Sequence, residues 1–172
     1  ERTIVSGKSK FDRFISGDKN LFTDEEVLGL HLFRTKARCI NCHFSPLFSD
    51  QQFHNLGLSY YGRKHEDLGR YKITKDAADV GRFKTASLRE VARTAPYMHN
   101  GLIPSLDEVI QMYDAGMARP KPRKDQENDP LFPTTDPLLQ KLSLTKEERA
   151  ALKAFLLTLN SSAKREKMPE LP

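Results

Sequence analysis

The sequence contains no tryptophan and only two cysteines among its 172 residues. Those cysteines, Cys39 and Cys42, stand three positions apart, too close for a typical structural staple, so this is no disulfide-held scaffold. No apolar run approaches the roughly 20 residues that a membrane-spanning helix needs, which excludes a span of that kind. Lysine and arginine are scattered, without a long basic run, and the formal net charge is +5. Nucleic-acid binding therefore has little support. A docking face for an acidic redox partner stays open beside the plainer reading of a solvated surface. Hydrophobic residues make up 38% and aromatics 9%, a thin supply of core for one domain of this length. There is no internal repeat. The chain opens on Glu1 without an apolar leader, as expected of a mature or trimmed product whose targeting segment has been removed.

What is present is a series of helix-start signals separated by long irregular stretches. Residues 1–20 are polar and rich in Gly and Ser, which predicts an arm or linker, with Phe11, Phe14 and Ile15 available to pack on a neighbour. Thr23-Asp-Glu-Glu26 is a capping box, and Val27, Leu28, Leu32 and Phe33 follow on one helical face. That helix ends before Cys39. Residues 44–86 show no sustained periodicity, and a loop of that length calls for a function or a bound group to organise it. Ser87-Leu-Arg-Glu90 predicts a second helix, broken by Pro96. Ser105-Leu-Asp-Glu108 opens a third through Tyr113, stopping near Gly116. Pro120, Pro122, Pro130, Pro133 and Pro137 make residues 118–137 an irregular excursion. Thr145-Lys-Glu-Glu148 opens a last helix carrying Ala151, Leu152, Phe155, Leu156 and Leu159, and residues 161–172 form a polar tail.

Cys39-Ile-Asn-Cys42-His43 is the spacing for thioether attachment of haem c. Two thiols add to the porphyrin vinyls, and the adjacent imidazole of His43 becomes the proximal iron ligand. A redox dithiol would need a βαβ context, which is absent, and a zinc site would need a second cysteine pair beside the spare His54 and His65. A buried haem also supplies apolar surface that the composition lacks, and its two propionates remove roughly two positive charges at neutral pH. The expected fold is all-α: a cytochrome c-like helical domain over residues 21–160, its long irregular loops wrapped around a covalent haem. The iron's other face decides the chemistry, since Met or His gives an electron-transfer centre and Tyr favours the ferric state. His54, His65, Met98, His99, Met112, Tyr113 and Met117 are candidates, and periodicity does not choose among them.

Phe83-Lys-Thr-Ala-Ser-Leu-Arg-Glu-Val-Ala-Arg-Thr-Ala-Pro-Tyr-Met-His-Asn-Gly101, followed by Ser105-Leu-Asp-Glu-Val-Ile-Gln-Met-Tyr113, resembles the bacterial di-haem cytochrome c peroxidase and MauG family. Ser9-Lys-Phe-Asp-Arg-Phe14, Phe48-Ser-Asp50 and Phe53-His-Asn-Leu-Gly57 are similar to it as well, in order, over most of residues 9–160. The likeness is to the family's C-terminal half. It implies an electron-transfer haem domain in a periplasmic peroxidase or MauG-like oxidoreductase. In that arrangement a small donor, a cytochrome c or a cupredoxin, reduces this haem. Electrons then pass to a second haem that reacts with hydrogen peroxide. Only one haem motif is present, so the resemblance places the peroxide-reacting haem on an N-terminal half, in the same gene or on a separate chain. The resemblance also places the distal iron ligand at Tyr113, with Met98 as its rival, because Met112 lies about 100° away around the helix. It matches the carbonyls of Thr94 and Pro96 to an interdomain calcium site, while Arg89 is a candidate partner for a haem propionate. The competing expectation is a free-standing mono-haem cytochrome that only carries electrons. No distal acid–base pair is evident, and the catalytic residues stay unassigned.

Overall fold

The computed structural model describes residues 6–162. Among the described residues five α-helices carry the fold: α1 (Lys10–Ile15), α2 (Asp24–Arg34), α3 (Tyr71–Thr74), α4 (Leu106–Asp114) and α5 (Lys146–Leu157). The two strands described are two residues long, β1 (Phe53–His54) and β2 (Phe83–Lys84), paired antiparallel with Phe53 opposite Lys84 and His54 opposite Phe83. The architecture is therefore helical, with one minimal hairpin pinning the long loops.

The helices begin where capping chemistry dictates. Thr23 accepts from the Glu26 backbone N–H at 3.3 Å, and Glu26 accepts from the Thr23 N–H at 2.7 Å, closing the box at the head of α2. Thr145 and Glu148 repeat it at α5, at 3.2 and 2.8 Å. Ser105 caps α4 through the Glu108 N–H. The helix expected from Ser87–Glu90 does not form. There the Ser87 hydroxyl donates to the Leu47 carbonyl and accepts from the Arg89 N–H, a local turn that competes with helix. Glu90 adopts left-handed backbone at φ 60°, so only a single 3₁₀ turn follows, Val91–Arg93.

Residues 9–20, expected as part of an arm, are packed against the domain. Ser9 and Asp12 form a third capping box, and α1 docks by setting the Phe11 ring edge-on to Phe48 (5.2 Å) and Phe155 (5.8 Å). Phe14 stacks on Phe22 at 4.1 Å, while Ile15 stays exposed. Ser9 also forms an isolated bridge with Ser161. The rest of the expected polar tail, from residue 163, lies outside the described residues.

The core lies between α2 and α5. Phe33, Leu152, Phe155 and Leu159 are buried there, and each such side chain contributes about 1.5–3 kcal/mol of transfer free energy. The helices approach closely because Gly29 sits against the Ala151 backbone. α4 packs on α5. Gly57, at φ 75°, lets the chain pass directly over the Ala118 carbonyl, which draws the proline-rich segment onto the domain.

Candidate functional site

α2, α4 and α5 enclose a cavity of about 450 Å³, within the roughly 300–1,000 Å³ of cofactor-sized pockets. α4 presents Leu106, Val109, Ile110 and Tyr113 to it, a stripe at helical spacing. α5 supplies Leu152 and Leu156, and α2 supplies Phe33. Cys39, Cys42 and His43 line the same cavity, set there by the 3₁₀ turn Cys39–Asn41 that follows α2. The proline-rich segment closes another side with Asp136, Leu138 and Leu139.

Electrostatics distinguish this cysteine pair from a reactive dithiol. Burial pushes the Cys39 thiol up to about 12, with Cys42 adding to it. Burial, then Asp50 and Asp136, push Cys42 up to about 11. Reactive cysteines need electropositive, thiolate-stabilising surroundings, and these have the opposite. His43 Nδ1 lies 2.9 Å from the Phe48 carbonyl, which can only accept, so Nδ1 carries the proton and Nε2 keeps the lone pair that a metal could take. Burial holds His43 below the usual histidine range and hence neutral, the form that binds a metal. An apolar cavity with two cysteines and one oriented imidazole on its wall fits a covalently held haem.

The structure divides the remaining candidate residues by position. His65, Met112 and Met117 do not line the cavity; His54, Met98, His99 and Tyr113 do. Both His54 nitrogens are engaged, Nδ1 with Asp136 at 2.7 Å and Nε2 with Asp50 at 2.8 Å. His99 stacks flat on Phe83, ring centroids 3.5 Å apart, at the exposed edge. Tyr113 is half-buried, and loss of solvent around its phenol, followed by Cys39 and Cys42, raises its pKa far above the ordinary value. Met98 sits on the loop after Tyr97 in left-handed backbone at φ 66°.

Arg89 is not on the cavity wall. Its guanidinium donates to Asp12 (2.8 Å), Ser9 (3.3 Å) and the Pro46 carbonyl (2.9 Å) and covers the Phe48 ring, so its donors hold α1 instead of facing a propionate. Thr94 and Pro96 line the exposed edge, and among the described residues no backbone N–H donates to their carbonyls. Sequence spacing gives no sign of the carboxylate–imidazole–carboxylate group of Asp50, His54 and Asp136. Its members stand 4 and 82 positions apart, and nothing in the local pattern joins them. Cys42, Asp50 and His54 also place ligand-type atoms within 4.8 Å of one another, but the His54 nitrogens are already committed.

Fold and site together place the chain in the class of c-type haem proteins. No protein-family model matches it. It is 36% identical over 191 residues to the cytochrome-c peroxidase IdrP1 of Pseudomonas sp. (strain SCT), covering 94% of this chain and 47% of that one. It is 34% identical over 174 residues to the methylamine utilization protein MauG of Methylorubrum extorquens, covering 100% of this chain and 45% of that one. A MauG-like protein associated with microbial copper homeostasis superimposes with a TM-score of 0.78 at 32% identity, over 94% of this chain and 54% of its own. The chain is a homologue of the cytochrome c peroxidase and MauG proteins, and it spans about half the length of the curated relatives it matches.

Proposed function

We propose that this chain is the haem c electron-transfer half of a periplasmic di-haem cytochrome c peroxidase or MauG-like oxidoreductase, with Cys39 and Cys42 as the thioether attachments and His43 as the proximal ligand. The observation that carries the reading is the convergence of Cys39, Cys42, His43 and Tyr113 on one apolar cavity, in a chain matching half of its relatives. The haem supplies one-electron redox chemistry when bound. Cys39, Cys42 and His43 would hold it, with the His43 ring set by the Phe48 carbonyl; the leucines of α4 and α5 would exclude water, and Tyr113 lines the same cavity. In this reading a small cytochrome c or cupredoxin is the donor, and hydrogen peroxide is reduced at a second haem on the N-terminal half. Thr94 and Pro96 offer carbonyl oxygens of the type calcium takes, and that site is completed by the other half.

Tyr113 is the distal ligand in this account. Its desolvated phenol keeps its proton unless a cation sits beside it, so deprotonation reports directly on iron ligation. A phenolate stabilises ferric iron, where the Met98 thioether would raise the potential. The test is low-temperature EPR and near-infrared absorption of the ferric protein beside Tyr113→Phe. A spin-state change in the variant supports Tyr113, and a thioether charge-transfer band that survives in the variant moves the ligand to Met98. Peroxide turnover by this chain alone, with a reduced donor, would overturn the relay role.

A further inference from the structure

We propose that His54 is a positioning residue that clasps the strap 136–144 across the mouth of the cavity, bridging Asp50 on the haem-attachment side to Asp136 on the strap. The inference rests on the haem reading only for what the strap covers; the clasp itself is in the side chains.

The His54 ring lies between two carboxylates, Nδ1 at 2.7 Å from Asp136 and Nε2 at 2.8 Å from Asp50, with all three side chains largely buried. Carboxylates only accept, so both contacts are hydrogen bonds only when both ring nitrogens carry protons. Each carboxylate is in turn fixed to its own segment. Asp50 accepts from the Gln52 N–H at 2.9 Å, and its own N–H donates to the Cys42 carbonyl at 2.7 Å, one residue from His43. Asp136 accepts from the Leu138 N–H at 2.9 Å, and its N–H donates to the Asn55 carbonyl at 2.9 Å. The clasp therefore joins the backbone beside Cys42 to the backbone of the strap.

The strap needs such a joint. It follows a proline-rich excursion, and no helix or strand is described between residues 127 and 145. At its far end the Asp114 carbonyl and carboxylate accept from the Leu142 and Leu144 N–H groups. Between these two anchorages Leu138, Leu139 and Gln140 face the cavity. One further side-chain tie to the segment before Cys39 is the exposed Arg38–Gln140 bond at 3.1 Å. Releasing His54 would leave the span held by that surface contact, by the Arg119 guanidinium on the Leu139 carbonyl and by the Asp136–Asn55 backbone bond.

The experiment is amide hydrogen exchange on the purified holoprotein, comparing the parent with His54→Phe, Asp136→Asn and His54→Arg. His54→Phe keeps an aromatic ring and removes both donors, so a packing role would leave exchange unchanged. Loss of charge-assisted bonds accelerates local opening by about tenfold or more. We expect that acceleration at residues 138–142 in His54→Phe and Asp136→Asn, with α2 and α5 unchanged, and recovery in His54→Arg, whose guanidinium donates to both carboxylates. Unchanged exchange at 138–142 overturns the clasp; so does equal acceleration throughout the domain, or no recovery in His54→Arg. If His54→Phe does not fold, Asp136→Asn decides by the same criteria. A haem absorbance spectrum of each sample separates failure of the haem reading from failure of the clasp.

Discussion

Replacing Gly29 by alanine inverts the usual rule for helices. In an exposed helix interior the change stabilises by about 1 kcal/mol, because glycine costs more backbone entropy. Here α2 crosses α5 at Gly29, and a Cβ would lie 2.7 Å from the Ala151 carbonyl carbon and 2.8 Å from the Phe155 Cβ. Ordinary contact begins at 3.4 Å, and the Ala151 carbonyl oxygen is met closer than either of these atoms, so the helices must part by at least about 0.7 Å. A gap of 0.5–1 Å forfeits roughly a quarter to a half of each dispersion well along the interface. Overpacking costs about 1–3 kcal/mol where side chains can yield, and a backbone carbonyl yields least. We therefore expect a net loss of about 2 kcal/mol, which lowers Tm by about 4–8 °C in a chain of this size. Because Phe33, Leu152 and Leu156 of these helices also wall the cavity, the haem spectrum should broaden with the loss. Thermal unfolding followed by far-ultraviolet circular dichroism is the assay. Unchanged or raised stability would refute the close-approach argument.

Arg89→Leu should destabilise the domain by about 1–3 kcal/mol in chemical denaturation, because it strips charge-assisted hydrogen bonds from α1 and leaves Asp12 without its cationic partner. Its haem absorbance should not change; a shifted spectrum would restore a propionate contact. For pH, burial acts against charged His54, but the bonds to Asp136 and Asp50 outweigh it and raise its pKa. That stabilisation is fully present below the unfolded value of about 6.5 and is lost as pH rises through the folded value. Burial raises Asp50 and Asp136, but their hydrogen bonds, including those to His54, prevail and lower both; their contribution is present above about 3.9 and lost as pH falls below it. Strap exchange, corrected for its intrinsic pH dependence, should be slowest between about pH 4 and 6.5; a minimum above pH 8 would contradict this.

Much of the scaffold was legible because helix starts are local. Thr23–Glu26, Ser105–Glu108 and Thr145–Glu148 announce α2, α4 and α5 within four residues each. Ser87–Glu90 carries the same signature, yet its serine bonds to Leu47, forty residues away, and the pattern gives no sign of that competitor. The first twenty residues read as an arm because their polar surface dominates, while the Phe11 contacts with Phe48 and Phe155 are non-local. At the site, the cysteine motif follows from spacing. Placing Met98 and Tyr113 on the cavity, and His65, Met112 and Met117 off it, took the folded chain. The Asp50–His54–Asp136 group depends on how the proline-rich segment returns over β1.

The central claim is a haem held through both cysteines, and intact-protein mass spectrometry tests it most directly. Expressed in a host that matures c-type cytochromes, the chain should carry the added mass of one haem that survives denaturation. Cys39→Ala together with Cys42→Ala should carry none. Two free, alkylatable thiols on the soluble, folded parent protein would contradict the account.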